Sequence, residues 1–365
     1  MLTFIGLGLE QSPTLYELKV LRECEEIFYE GYTSPTMRSD TPTLIGQSLL
    51  FSGNEEKKES GPKIQVVKRE FVEDGRRILD LAKESNVALV CSGDPFVATT
   101  HQELRARAIN SGIRTKVIHG SSILSAVGGE LGLSSYSFGK TVTMTRSPMQ
   151  YSAYLTIYQN LLRGLHTVLL LEWDESSRFF LSPKDAAESL FSAEKDLKYG
   201  VITEDTMLLA ASRIGSMEQN SPIITCLSLG EARIREDLGS PPITLVIPGR
   251  LHFTEIEALS AITHSAQESL RDNSRNIEHI ADLMVKKYSQ KTLAALSRAR
   301  RAVKSSKEEG MERKYDSVFE NVELYTSDAL RFLNEGKEEL AVLSIGYAEG
   351  LLDSLRFSQE LEFEW

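Results

Sequence analysis

The sequence predicts an α/β protein of two lobes followed by an all-helical domain. Three observations carry this. Short apolar runs that end in glycine or turn residues alternate with helix-period segments up to about residue 262. All 11 prolines lie at or before Pro248, and only five of the 24 glycines follow it. Such residues punctuate α/β chains at every turn, whereas a helical bundle needs few of them. Finally, the tail carries apolar residues at helical spacing, with no proline among them. At 365 residues there is room for two or three domains of ~100–200 residues each.

The elements follow in order. Residues 2–5 form an apolar run closed by Gly6-Leu-Gly8, and Leu15, Leu18 and Leu21 mark the helix behind it. Residues 27–29 read as a strand, and the polar stretch 54–63 as a loop. Strands are expected at 64–67, 87–91 and 115–118, with helices at 72–85 and 99–111 between them. This alternation argues for a largely parallel sheet. A second set begins near Lys140. It has strands at 141–145 and 167–171, helices at 151–162 and 183–191, and further strands at 207–211 and 243–247. The lobes are expected at 1–130 and 131–262, and the helical domain at 268–365.

In the tail, Ile277, Ile280, Met284 and Tyr288 mark one amphipathic stripe. Tyr315, Val318, Val322, Tyr325, Ala329 and Leu333 mark a second, and Leu340, Leu343, Tyr347, Leu351 and Leu355 a third. Gly336 fits a C-terminal cap between the last two. Arg298, Arg300, Arg301, Lys304 and Lys307 form a basic cluster. It reads as a solvated helix face, or as a docking surface for an acidic partner or RNA.

Composition excludes several classes. Hydrophobic residues make up 41% of the chain, enough for a core. A net charge of −11 opposes generic binding to nucleic acid or an anionic membrane. No apolar run approaches the ~20 residues that span a bilayer, and the N-terminus lacks the basic and apolar regions of a signal peptide. Cys24, Cys91 and Cys226 are too scattered for a zinc site or a disulfide framework. A cytoplasmic location is expected.

The residues that could carry chemistry sit where strands end. Gly6-Leu-Gly8 begins a dinucleotide fingerprint, but Gln11 stands where its third glycine would be. Glu30 lies where a ribose-binding acid would sit, yet a conventional NAD site is not expected without that glycine. The glycines still imply close approach of backbone to a ligand or a packed element. Ser92-Gly-Asp-Pro95 follows the run at 87–91, and Gly120-Ser-Ser-Ile123 follows the run at 115–118. Gly-Asp-Pro is ordinary turn chemistry, but the carboxyl ends of parallel strands are where open α/β sheets bind ligands. Together the three edges outline a pocket. Thr99, Thr100 and His101 read as cap or surface residues of the next helix. There is no H-E-x-x-H, G-x-S-x-G or Walker motif, and the six histidines show no metal-ligand spacing. A pocket with no activated nucleophile or metal suits a reagent that is already activated.

At these residues the chain resembles the diphthine synthase family, methyltransferases of the tetrapyrrole-methylase fold. The motifs are F-I-G-L-G-L at 4–9, E-G-Y-T-S at 30–34, G-D-P-F-V-A-T-T-H at 93–101 and V-I-H-x-x-S-I-x-S-A-V-G at 117–128. Further on come Y-S-F-G-K at 136–140, G-L-H-T-V-L-L-L at 164–171, T-E-D-T at 203–206, R-E-D-L-G-x-P-P at 235–242 and V-I-P-G-R-L-H at 246–252. The G-D-P-x-V-A-T-T-H run is the most specific. Residues 270–365 resemble instead a small uncharacterised archaeal helical family, through the stretches at 327–333 and 346–353.

The resemblance implies a homodimeric enzyme that binds S-adenosyl-L-methionine (SAM) between two α/β lobes. Its implied substrate is the modified histidine of translation elongation factor 2, methylated on its amine in diphthamide biosynthesis; in the archaeal branch the product is the trimethylated amine. The family's cofactor contacts fall on Leu9, Asp94, Val97, Ser122, Ile123, Leu171, Ile214 and Ile243. No metal is implied, and no catalytic base is assignable. Three places depart from the family pattern. Ile243 stands where His is frequent, so a backbone contact is expected there. Ser92 replaces the usual Pro or Gly. The aromatic stretch after Val142-Thr-Met is shortened to Thr145-Arg-Ser-Pro-Met-Gln150 and lacks the usual tryptophan, in a region facing the acceptor. Two other readings remain open. One is a methylase of the same fold acting on a tetrapyrrole or RNA. The other is a SAM-binding regulator without turnover, using the helical tail as an interaction arm.

Overall fold

The computed structural model describes residues 1–35, 40–51, 61–218, 221–275, 277–305, 311–358 and 361–363. Most of the loop expected at 54–63 and Lys307 of the basic cluster lie outside these residues. The chain divides into two compact units, Met1–Ile277 and Glu278–Trp365.

The larger unit opens with a strand–helix alternation. Its elements are β1 (Leu2–Gly6), α1 (Leu15–Arg22), β2 (Glu26–Glu30), α2 (Thr41–Phe51), β3 (Lys63–Val67), α3 (Arg69–Asp74), α4 (Arg76–Glu84), β4 (Val87–Cys91), α5 (His101–Asn110), β5 (Thr115–Ile118) and α6 (Ile123–Glu130). The five strands form one parallel sheet in the order β3-β2-β4-β1-β5. Every residue of β1 and β4 is buried, which is why β4 reads as an unbroken apolar run and β1 as one interrupted by Thr3 alone. Side chains alternate between the faces. Leu2, Phe4, Phe28 and Leu89 pack with Val72, Ile78 and Leu104 on one side. Ile5, Ile27, Ala88 and Val90 pack with Val20, Leu21 and Ile45 on the other. Full burial of each such large apolar side chain stabilises by about 1.5–3 kcal/mol.

The helix expected at 72–85 is two helices. Gly75 between them takes a left-handed φ of 60°, and its amide donates to the Phe71 carbonyl, which closes α3 before α4 begins.

The second lobe comprises β6 (Val142–Met144), α7 (Tyr151–Leu162), β7 (Thr167–Leu171), β8 (Trp173–Asp174), β9 (Phe179–Phe180), α8 (Pro183–Leu197), β10 (Met207–Ser212), β11 (Ile223–Ser228), α9 (Leu229–Ala232), β12 (Ile243–Ile247) and α10 (Phe253–Thr263). Its five-stranded sheet runs β11-β10-β12-β7-β6, and only β6 and β7 are parallel. Leu169, Leu208, Ala210 and Leu245 face Tyr154, Ile157 and Leu190 of α7 and α8. Val168, Leu209, Ala211 and Val246 face Val127, Leu131 and Leu259. So α6, which follows the first sheet in sequence, packs on the second. Helix α8 starts with Ser182 accepting the Asp185 amide at 3.0 Å and Pro183 in the first turn.

The smaller unit is three helices, α11 (Ile280–Ser305), α12 (Met311–Asn334) and α13 (Glu338–Phe357), each packed on the other two. Its core is Val285, Leu296, Val303, Tyr315, Phe319, Val322, Ile345 and Leu352, with alanines between them. Gly336, at φ 68°, turns α12 into α13; its amide donates to Leu333 and that of Lys337 to Phe332. The third apolar stripe is displaced from its expected place. Leu340, Leu343 and Tyr347 are exposed, and α13 buries Ala341, Ser344, Ile345, Ala348, Leu352 and Leu355. The first stripe likewise moves one residue, to Ala281 and Val285. Small residues let helices approach closely, so the inward face is the one with less apolar volume.

Candidate active site

The loops that leave β1, β4 and β5 meet at the carboxyl edge of the first sheet. Gly8 and Gly93 exchange backbone hydrogen bonds, N–H to carbonyl, at 3.1 and 2.8 Å. A Cβ on Gly120 would collide with the Gly93 carbonyl and the Gly8 amide, so glycine here is required by space. The Leu9 amide donates to the Ser121 hydroxyl at 3.1 Å. Three chain segments distant in sequence are thereby held as one cradle of backbone. Gln11, where a fingerprint glycine would stand, adopts a left-handed φ of 53°.

Opposite this cradle lie the ends of β7 and β10 and the start of β12, brought together because β12 runs antiparallel to both. The Arg213 amide donates to the Pro242 carbonyl at 2.9 Å, tying these loops. A Cβ on Gly215 would strike Leu9, so the second lobe's loop closes directly on the first lobe's. Between the walls is a cavity of about 1220 Å³. Small-ligand sites are roughly 300–1,000 Å³, so this one has room for a nucleoside-sized ligand and part of a second reactant.

All eight positions singled out from sequence line this one cavity: Leu9, Asp94, Val97, Ser122, Ile123, Leu171, Ile214 and Ile243. Asp94 is buried. One of its oxygens accepts the Phe96 amide at 2.9 Å, and the other pairs with Nδ1 of His119 at 2.7 Å. Ser122 precedes α6, and its amide donates to the Ser125 hydroxyl at 3.0 Å.

Three residues differ from their sequence reading. His101 is fully buried rather than a surface or cap residue. Its Nδ1–H donates to the Pro95 carbonyl at 2.9 Å, which leaves Nε2 to accept from the Tyr32 hydroxyl at 3.4 Å. Burial pushes its pKa down to about 4, against the pull of the Pro95 carbonyl, so the ring is neutral. Thr100 makes no side-chain cap; the neighbouring Thr99 hydroxyl donates to Pro95 instead. Glu30 does not reach the cavity wall as a ribose ligand would. It is fully buried and accepts the amides of Tyr32 and Thr33, each at 3.1 Å, while Tyr32 and Thr33 themselves line the cavity.

Sequence reasoning missed the cavity's charged end. Arg146 reaches across to the β8–β9 hairpin, its Nη2 at 2.9 Å from both Glu172 and Asp174 and its guanidinium 4.4 Å over the Phe179 ring. The hydroxyls of Ser176 and Ser177, then Arg146, hold the Asp174 carboxyl well below the usual range. Trp173, Glu175, Arg178 and Phe180 line the cavity from this hairpin, and Lys68 and Arg69 from the other lobe. The available signal was Asp174-Glu-Ser-Ser, a turn cluster between aromatic residues.

His166, in the G-L-H-T motif, is structural. Its Nδ1 accepts the Gly249 amide, so Nε2–H faces Glu255 at 3.3 Å, both side chains buried. Burial keeps the imidazole neutral. Although burial acts to raise the Glu255 pKa, the amides of His252 and Ser134 hold it down. Among the described residues, no group of His, Cys, Asp and Glu could hold a metal ion, and no helix is long and apolar enough to cross a membrane.

A parallel sheet and a mixed sheet whose strand ends meet at one cleft, lined on one side by glycine turns, define a two-lobed α/β protein with a cavity of ligand size. Residues 1–220 match the tetrapyrrole (corrin/porphyrin) methylases, and residues 287–361 match a family described only as a protein of unknown function, DUF357. The diphthine synthase of Methanosarcina acetivorans is 38% identical over 274 residues, 71% of this chain and 94% of that protein. That of Methanocaldococcus jannaschii is 36% identical over 269 residues, 71% of this chain and 97% of that protein. A crystal structure of diphthine synthase superposes with a TM-score of 0.61 at 27% identity, covering 73% of this chain and 98% of the other. The chain therefore belongs to the tetrapyrrole methylase family and, within it, to the diphthine synthases. It is a methyltransferase.

Proposed function

We propose that this chain transfers the methyl of SAM to the amine of the modified histidine of translation elongation factor 2, a step of diphthamide biosynthesis. The supporting observation is the convergence of eight separately placed residues, from six strand ends, on one cavity. The cavity fits SAM. Its glycine cradle presents backbone where side chains would obstruct, and Leu9, Val97, Ile123, Leu171, Ile214 and Ile243 supply an apolar lining for an adenosyl group. When bound, SAM supplies a methyl already activated on sulfonium, so no covalent enzyme nucleophile is needed. What remains for the protein is orientation, which contributes up to ~7–11 kcal/mol in well-aligned systems. Asp94 holds the G-D-P turn through Phe96 and His119, and Ile243 contributes backbone and an apolar side chain in place of the family's histidine. The charged, aromatic hairpin end receives the acceptor. We further infer a cytoplasmic homodimer, with the helical unit as an added module.

Transfer of a radiolabelled methyl from SAM to elongation factor 2 carrying the aminocarboxypropyl-histidine intermediate tests this. Label on that protein is the expected result. SAM binding without transfer to it would favour a non-catalytic regulator, and transfer to a tetrapyrrole or RNA alone would favour another methylase.

A further inference from the structure

An ammonium nitrogen has no lone pair, so each methylation of an amine must begin with loss of a proton. Most ionisable groups near the cavity are already committed. Asp94 holds Phe96 and His119. Glu172 and Asp174 are both held by Arg146. His101 is bonded at both ring nitrogens.

Glu30 differs from these, and from the exposed Glu70 and Glu175 of the cavity lining, in being buried. It ends β2 at the carboxyl edge of the sheet, is fully buried, and engages the Tyr32 and Thr33 amides through Oε2. Its Oε1 has no hydrogen-bond partner. A buried polar group left unpaired costs about 1–3 kcal/mol, and more when it is charged. The carboxyl is thus placed where its charged form is poorly supported, and burial pushes its pKa up to about 7 despite the Thr33 and Tyr32 contacts. The titratable groups acting on it or acted on by it are Tyr29, Tyr32, Cys91 and, from the other lobe, Glu175. Arg69 lies over the Tyr32 ring and pairs with Glu73 at 3.2 Å. Thr33 joins this carboxyl to the cavity: its amide donates to Glu30 at 3.1 Å, and the residue itself lines the cavity wall.

We propose that Glu30 is the base of the methyl transfer, taking the proton of the acceptor ammonium through the Thr33 hydroxyl. This rests on the reaction proposed above. The N–H bond breaks and its electron pair stays on nitrogen. The Thr33 hydroxyl receives that proton as its own passes to the carboxylate, leaving Glu30 a neutral acid. The nitrogen pair then forms the N–C bond as the C–S bond breaks, with that pair leaving on sulfur. The proton returns from Glu30 to solvent by the same hydroxyl before the next methylation.

The test is the kcat–pH profile of the full-length chain with elongation factor 2 as acceptor. Glu30→Gln keeps an oxygen for the Tyr32 and Thr33 amides but accepts no proton. Its kcat at neutral pH falls by roughly 100-fold, the scale of acid–base catalysis. The acid limb that inflects near pH 7 in the native enzyme disappears, while KM for the acceptor and Kd for SAM stay the same. Thr33→Val loses kcat in the same way, and Thr33→Ser restores it. A Glu30→Gln enzyme with native kcat and an unchanged profile overturns the proposal while leaving the function intact. So does a weakened Kd for SAM with no change in kcat, which would make Glu30 a wall-building residue. Native enzyme that binds SAM but transfers no methyl refutes the function itself, and the base with it.

Discussion

Two buried residues, one bonded to the Tyr32 hydroxyl and the other to the Tyr32 amide, set opposite pH dependences. His101 has a folded pKa of about 4, below its unfolded value of ~6.5. Its contribution is therefore present above pH 6.5 and is lost as pH falls towards 4. Glu30 has a folded pKa of about 7, above the ordinary carboxyl value. Its contribution is present below the unfolded pKa of ~4.3 and is lost as pH rises through 7. Each spans stability on the order of 3 kcal/mol, and between about pH 4.5 and 6.5 they offset one another. Urea unfolding of His101→Asn is expected to show stability falling as pH rises across this window. Glu30→Gln is expected to show it rising. Parallel slopes would mean that one of the two side chains is solvated. At the same scale, Asp94→Ala removes two hydrogen bonds that hold the G-D-P turn. Bonds to a charged group are worth about 1.5–3 kcal/mol, so calorimetry is expected to show SAM affinity weakened at least roughly tenfold. An unchanged Kd would separate Asp94 from the cofactor.

Among the elements, those with one dominant period were legible and those made by exchange between distant segments were not. Strands β1, β4 and β7 announce themselves because both faces are covered, leaving runs that are apolar but for Thr3 and Thr167. The break at Gly75 was hidden inside one apolar stripe. The stripe expected on α13 was misplaced because Leu340, Leu343 and Tyr347 outweigh the alanines that face the core. Gly336 was read as a cap, and its left-handed backbone makes Gly336→Ala cost about 1–2 kcal/mol, measurable as a shift in the unfolding of the helical unit. The β8–β9 hairpin owes its position to Arg146, which grips Glu172, Asp174 and the Phe179 ring. Arg146→Ala is expected to speed amide hydrogen exchange in the hairpin while α7 stays protected. Equal protection in both would show the hairpin to be held by its own turn.

For the molecule as a whole, each unit has its own buried cluster and the division falls at Ile277/Glu278. A fragment of residues 1–277 is therefore expected to unfold cooperatively and to bind SAM with the affinity of the full chain. Loss of binding in a folded fragment would give the helical unit a part in the site. The shift from proline-punctuated alternation to proline-free helical stripes, the strand-end glycines and the absence of metal or nucleophile motifs were determined by the sequence alone, because they follow from local backbone preference and residue chemistry. The tertiary structure decided which loops meet, that α6 covers the second sheet, that Arg146 pins the hairpin, and that Glu30 is buried with an unpaired oxygen behind Thr33. Those are properties of proximity and desolvation, which arise only when segments far apart in the chain are packed against one another and water is excluded between them.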